Sequence, residues 1–328
     1  DLIVDGYASP HGFALKPSHA KMLQNADIVF WVGEDLENFL EKPLDSIAKK
    51  AEKIELLEFK GLNKLKFRER NIFDDHDDHG HDDHGHKKKD DHDDHDDHAK
   101  KEDDHDDHDH KKKDDHDDHD HAKKEDGHKE DDHDDHDHKK KDDHDDHDDH
   151  DDHAGHDHGE HDPHAWLSIE NAQTWLNLVA GKLSAADPEN AGVYFGNAAA
   201  ARSEIEELSK EVNSILDPVR GRSFVVFHDA YQYFETSFDF PASGAISLGD
   251  ATDPSASRIA EIQGRVREEG INCVLSEPQY NPNLVETVLE GTDAKTGVID
   301  PLGVNLEPGP KLYGDLIRNM AKSLAGCL

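Results

Sequence analysis

The sequence predicts an α/β protein built as two lobes with parallel sheets and one long helix joining them. Three observations carry that prediction. Short apolar runs of strand length alternate with amphipathic helical stretches on both sides of a charged segment. One helical pattern of about 29 residues separates the two alternating regions. Outside residues 74–162 the apolar content is roughly 44%, an ordinary globular level.

The elements follow in order. Pro17–Asn25 is expected to be helical and Ile28–Val32 (IVFWV) a buried strand; Leu36–Lys49 reads as a helix in two pieces around Pro43, and Lys53–Leu57 as a strand. Ser168 can cap a helix running to about Ala186. Asp187-Pro188-Glu189 then opens the long helix with an N-cap, a proline and an acidic first turn. Its apolar positions Phe195, Ala198, Ala201, Ile205, Leu208, Val212 and Ile215 recur at three- and four-residue steps, and its length is about 43 Å at 1.5 Å per residue. Beyond Asp217-Pro218 come strand Ser223–Phe227, helix Tyr231–Phe238, strand Ala242–Ser247, helix Ser255–Glu269, strand Cys273–Ser276, helix Pro282–Glu290, strand Thr296–Ile299 and helix Leu312–Leu324. Strands separated by helices imply a parallel sheet covered on both faces. The expected domains are a first lobe over 1–186 that contains the charged segment, a linking helix over 187–217, and a second lobe over 218–328.

Charge narrows the function. The formal net charge of −40 opposes binding to nucleic acid or an anionic membrane. No apolar run reaches the 18 or so residues that a membrane-spanning helix needs. The chain opens at Asp1 in DLIVDGYASP, which reads as a cut end with no signal peptide visible in the sequence, as expected of an exported protein after processing.

Residues 74–162 hold 25 of the 29 histidines, 42 of the 77 acids, 14 lysines and only three apolar residues, Ala99, Ala122 and Ala154. Such a stretch cannot fold around a core. It repeats imperfectly, as in KKEDDHDDHDHKKKDDHDDHDHA over Lys100–Ala122. A solvated spacer is the bland interpretation, but clustered neutral imidazoles are good ligands for zinc, copper and nickel, and the Asp-Asp pairs add oxygen donors and negative potential. Metal collection by many weak sites is the expectation, with His150, His153, His156, His158 and His161 the candidate auxiliary ligands nearest the return to ordered sequence. The lysine triplets are expected to relieve acid–acid repulsion.

Open parallel sheets bind ligands beyond the carboxyl ends of their strands, and four residues stand in such places. His11 lies in the loop of YASPHGFALKPS, His164 in HDPHAWLS, His228 directly after the strand in FVVFHDAYQYF, and Asp300 directly after GVI in GVIDPLG. Singly, each has an ordinary explanation as a packed histidine, a loop histidine or a turn aspartate. Together they offer three nitrogens and one carboxylate from two lobes, a tetrahedral set that suits zinc; manganese prefers more oxygen. His19 is expected at the surface, and Trp31 and Trp166 in the core or the wall of the site.

YASPHGFALKPS, DIVFWVGEDLENFL, HDPHAWLS, FVVFHDAYQYF, CVLSEPQYNP and GVIDPLG occur in the order seen in the periplasmic zinc-binding proteins of high-affinity zinc ABC importers, the ZnuA type, which this chain resembles over nearly all of its ordered length. The resemblance implies two Rossmann-like lobes, a rigid backbone helix, and a zinc ion held in the cleft between the lobes and handed to a membrane permease. It implies zinc ligation by His11, His164 and His228. A His/Asp-rich insertion before the second histidine is itself a family trait. Manganese-carrying relatives have a glutamate where this chain has His228. Some zinc members have a glutamate immediately before the first histidine, where this chain has Pro10, which leaves Asp300, or water, for the fourth position. The family also has a strand and a helix before the point matched by Asp1.

Cys273 and Cys327 are open to interpretation as free buried thiols or zinc ligands, but no CxxC spacing supports the latter. The resemblance and an exported location favour a disulfide, worth about 4 kcal/mol in the chain-entropy account. The expected function is thus extracytoplasmic capture of Zn2+ for an ABC permease by a periplasmic monomer, with a periplasmic zinc chaperone as a further partner. A metal buffer in which the charged segment is the main functional element is the alternative. An enzyme is not expected, since H-E-x-x-H is absent and no glutamate base stands beside a candidate ligand.

Overall fold

The computed structural model describes residues 1–68 apart from Asp5 and Tyr7, then Phe73, and residues 160–328 apart from 250–253. His150, His153, His156 and His158 lie outside the described residues; His161 is described. The described residues before and after the charged segment group into one compact unit.

The first sheet has two strands. Helix α1 (Pro17–Asn25) leads into β1 (Ile28–Trp31), and α2 (Glu34–Ser46) leads on to β2 (Glu52–Glu55). The strands are parallel, in register from Ile28 opposite Glu52 to Trp31 opposite Glu55. Helix α2 is interrupted, but not at Pro43 as expected: the break falls at Glu37, with φ −120° and ψ 49°. There the Glu37 carboxylate turns back to accept the backbone N–H groups of Val32 at 2.6 Å and Gly33 at 3.3 Å, satisfying amides that open the helix. His19 is buried rather than exposed. Its Nδ1 accepts the Lys16 N–H at 3.3 Å, and its ring stacks on Phe13.

A short 3₁₀ turn, Ala165–Leu167, precedes α3 (Ile169–Ala186). Ser168 caps α3 as expected, its Oγ accepting the Asn171 N–H at 3.2 Å. After the 3₁₀ turn Pro188–Asn190 comes α4 (Ala191–Leu216), 26 residues and about 39 Å long. It packs along α3 on one side and along the C-terminal helix on the other. Ala198, Ile205, Leu208 and Val212 are buried as their spacing requires, whereas Phe195, one turn from the helix start, is 51% exposed.

The second sheet contains β3 (Phe224–His228), β4 (Gly244–Ser247), β5 (Cys273–Ser276) and β6 (Lys295–Val298), all parallel, in the order β4-β3-β5-β6. Helices α5 (Gln232–Phe238), α6 (Ala256–Glu268), α7 (Pro282–Leu289) and α8 (Leu312–Cys327) complete it. Both faces are covered. Phe224 and Val226 join one apolar core, and the alternating Val225 and Phe227 join another. The first of these cores also takes in Ile54 and Leu57 from the β2 region, Trp175 from α3 and Leu208 from α4, so buried apolar contact is continuous from one sheet to the other.

Cys273 at the start of β5 and Cys327 at the end of α8 form a disulfide with a Cα–Cα distance of 5.8 Å. A side chain at Gly297 in β6 would meet Cys327 Cβ and Leu275 Cδ2, each at 3.2 Å. The close packing of β6 on the disulfide therefore uses a residue without Cβ. Among the described residues no helix is long and apolar enough to cross a membrane.

Candidate metal centre

The strand order sets the place. From β3 the chain goes to β4 on one side and then crosses to β5 on the other, so the carboxyl ends of β3 and β5 flank the switch point where open sheets bind ligands. His228 is the last residue of β3, and Glu277 directly follows β5. Glu277 Oε1 lies 2.6 Å from His228 Nδ1. A carboxylate there accepts the Nδ1–H and turns Nε2 into the nitrogen suited to a metal ion.

His164 is prepared in the same way from a different direction. It lies between the end of the charged segment and the Ala165–Leu167 turn. Asp162, two residues earlier, accepts the His164 backbone N–H at 2.9 Å and faces its Nδ1 at 2.7 Å, both through Oδ1. His11 comes from the loop before α1, where its backbone N–H is held by Ser9 Oγ at 3.2 Å.

These three histidines converge. One ligand nitrogen from each of His11, His164 and His228 lies within 4.8 Å of the others, and His11 Nε2 and His164 Nε2 are 3.3 Å apart. His164 and His228 are buried and His11 is partly so. Nitrogens about 2.0–2.1 Å from one tetrahedral zinc ion would sit about 3.3–3.4 Å apart, so a small contraction of the group suffices to close on it. The cavity among them, about 10 Å³ and bordered also by Glu277, Gln279 and Tyr280, has room for one atom-sized guest. Trp166 forms part of its wall and donates Nε1–H to the Pro301 carbonyl at 2.9 Å, while Trp31 is in the core of the first sheet.

The structure does not bring Asp300 into this group. Its Oδ1 accepts the N–H groups of Leu302 at 3.1 Å and Gly303 at 2.9 Å, and its Oδ2 that of Val304 at 2.8 Å. Both oxygens thus serve the turn after β6, as an aspartate before proline commonly does. His161 also stands apart from the three histidines: its residue bridges Lys66 in an antiparallel pair.

The surroundings are acidic. Asp162, Asp229, Glu235 and Glu277 are all buried, and Arg68 is paired with two of them, Asp229 at 2.7 Å and Glu235 at 2.6 Å. Burial pushes the Asp162 carboxyl up to about 7, against the opposing pull of the His164 amide and Arg68. It does the same to Asp229, also to about 7, with Arg68 opposing. Burial, and then the adjacent Glu277, hold the Tyr231 phenol well above its ordinary range. A site of imidazoles backed by carboxylates favours a divalent cation over an anion or a neutral guest.

Reading strand ends picked out His228 but passed over Glu277, although CVLSE offers the same signal of an apolar strand followed by a polar residue. Asp162 carried a weaker sign, its place two residues before His164. For Arg68 the sequence held none.

Known proteins resemble this chain in sequence and in fold. The family described as ZnuA, zinc-uptake complex component A periplasmic, matches residues 1–327. The chain belongs to the ZnuA family. High-affinity zinc uptake system protein ZnuA of Brucella abortus is 42% identical over 327 residues, covering 100% of this chain and 84% of the relative. The protein of the same name from Paracoccus denitrificans is 38% identical over 329 residues with the same coverage. Among solved structures, a crystal structure of ZnuA superposes with a TM-score of 0.64 at 18% identity, covering 100% of this chain and 89% of that one. A zinc-bound ZnuA lacking residues 138–173 of its own chain superposes at 0.62, also at 18% identity, covering 99% and 87%. At that identity the ZnuA structures speak to the fold: two Rossmann-like lobes joined by the long helix.

Proposed function

We propose that this protein captures Zn2+ in the periplasm through His11, His164 and His228 and delivers it to an ABC-type zinc permease. The observation that supports it best is the convergence of the three imidazoles, two of them aimed by buried carboxylates, in a member of the zinc-uptake family. Three nitrogen donors suit zinc, whereas manganese prefers oxygen-rich sites. With Asp300 engaged by its own turn, water is the better candidate for the fourth position. An atom-sized cavity among the three imidazoles suits an ion as cargo.

The lobes are residues 1–186 and 218–328, with 187–217 between them. The apolar core that runs through both, and helix α4 packed on α3 and α8, favour small rocking over wide hinge closure. The His/Asp-rich segment, including His150, His153, His156, His158 and His161, acts as an auxiliary, low-affinity collector of zinc. The protein works as a monomer, and a periplasmic zinc chaperone is a further partner.

Deleting residues 74–159 tests the division of labour, because Asp162 and all three histidines of the centre remain. Calorimetry is expected to retain one tight zinc site and to lose the weak ones. Only weak binding after the deletion would move the function into the histidine-rich segment and make the protein a metal buffer.

A further inference from the structure

Arg68 reaches two buried carboxylates beside the metal centre from the stretch that precedes the charged segment. Its NH1 donates to Asp229 Oδ1 at 2.7 Å and to Glu235 Oε1 at 3.2 Å, and its NH2 to Glu235 Oε2 at 2.6 Å. Both carboxylates are 4% exposed and the arginine side chain is 21% exposed. A planar guanidinium shared between two acids fixes angle as well as distance. Each partner is fixed in turn. Asp229 directly follows His228, and its N–H is held by the Ser247 carbonyl at 3.1 Å; Glu235 Oε2 also accepts the Ala242 N–H at 3.1 Å.

The segment that carries Arg68 is tied to the one that carries His164. Asp162 donates its N–H to the Leu65 carbonyl at 2.9 Å, and Lys66 bridges His161. The Tyr233 hydroxyl accepts the Leu65 N–H at 3.0 Å and donates to the Asp162 carbonyl at 2.9 Å. Two connections therefore meet at residues 65–68. One runs through Asp162 to His164, the other through Asp229 to His228.

We propose that Arg68 is a positioning residue of the zinc site, setting the spacing between His164 and His228 by joining the segment behind the first to the strand end that bears the second. This rests on the assignment of zinc to His11, His164 and His228. It goes beyond that assignment because Arg68 touches none of the three. Without the guanidinium two buried carboxylates lose their counter-charge. The end of β3 then has reason to relax, and the donor nitrogens lose the common centre on which preorganised binding depends.

The test uses the full chain, titrated with Zn2+ against a competing chelator strong enough to leave the weak histidine-rich sites empty, with Co2+ as the spectroscopic probe of the tight site. Arg68→Met removes the charge while keeping the stem. It is expected to lower tight-site affinity by tenfold or more and to shift the Co2+ d–d bands. Arg68→Lys restores the charge without the fork and is expected to fall between parent and Arg68→Met. Val288→Ala, in the separate core on the other face of β3, is expected to lower the melting temperature and change neither readout. An Arg68→Met protein with parental affinity and an unshifted Co2+ spectrum overturns the proposal, as does a loss no larger than that of Val288→Ala. Should Arg68→Met fail to fold, Arg68→Lys decides, and parental values in both readouts overturn it. His228→Ala separates the two claims. Retained tight binding there would overturn the three-histidine site itself, whereas loss there beside parental binding in Arg68→Met removes only the role of Arg68.

Discussion

His228 and Glu277 stand at the carboxyl ends of neighbouring parallel strands, and their side chains meet with 2.6 Å between Nδ1 and Oε1. The histidine presents Nε2 to the centre because the carboxylate occupies its other nitrogen. Partners of this kind typically contribute 10–100-fold to metal affinity.

Glu277→Gln is therefore expected to lower zinc affinity about tenfold, because the amide oxygen can still accept the Nδ1–H but brings no charge. Asp162→Asn is expected to do the same through His164. Competition against a chelator measures both, with circular dichroism confirming that the fold is retained. Parental affinity in both variants would mean that the rings are aimed by packing alone.

The resemblance pointed to the three histidines, and strand-end reasoning put His228 where the sheet switches direction. Alternation of apolar runs was enough to foresee β3, β4 and β5, because strands buried on both faces are nearly all apolar; β6, a largely exposed edge strand, was placed by the regular alternation of strand and helix instead. What stayed hidden depends on distant pairing. Arg68 meets partners 161 and 167 residues away, a separation that no local pattern reports. Glu37 displaced the break in α2 from Pro43 because a side chain, rather than the proline ring, claims the free amides at the helix start. Phe195 fits the apolar spacing of α4 yet is exposed.

Zinc should stabilise the protein more at pH 7.5 than at pH 5.5. Asp162 and Asp229 have folded-state values raised to about 7, so the metal-free fold binds their protons more tightly than the unfolded chain does. Their contribution to stability is present below the unfolded value and is lost as pH rises from about 4 to 7. A divalent cation beside them favours the ionised forms, and its imidazole ligands must be neutral, so its effect runs the other way. Calorimetric melting with and without Zn2+ at the two pH values is expected to show the larger zinc-induced rise at pH 7.5. Equal rises would rule out coupling between these protons and the metal.

Glu37 supplies a separate pH dependence. Its carboxylate, turned back on Val32 and Gly33, is raised to about 6, chiefly by burial, with Glu55 adding to the rise and the two amides opposing it. The folded chain therefore holds this proton more tightly than the unfolded chain, and the stability it contributes disappears as pH climbs from about 4.5 to 6. Glutamine in its place can still accept the Val32 N–H and never bears the charge. Glu37→Gln should accordingly be close to neutral at pH 4.5 and gain about 2 kcal/mol relative to the parent at pH 7.5. Urea unfolding of the metal-free protein at both pH values reads that difference directly. A Glu37→Gln effect that is the same at the two would show that the carboxyl ionises in the fold as readily as in the open chain.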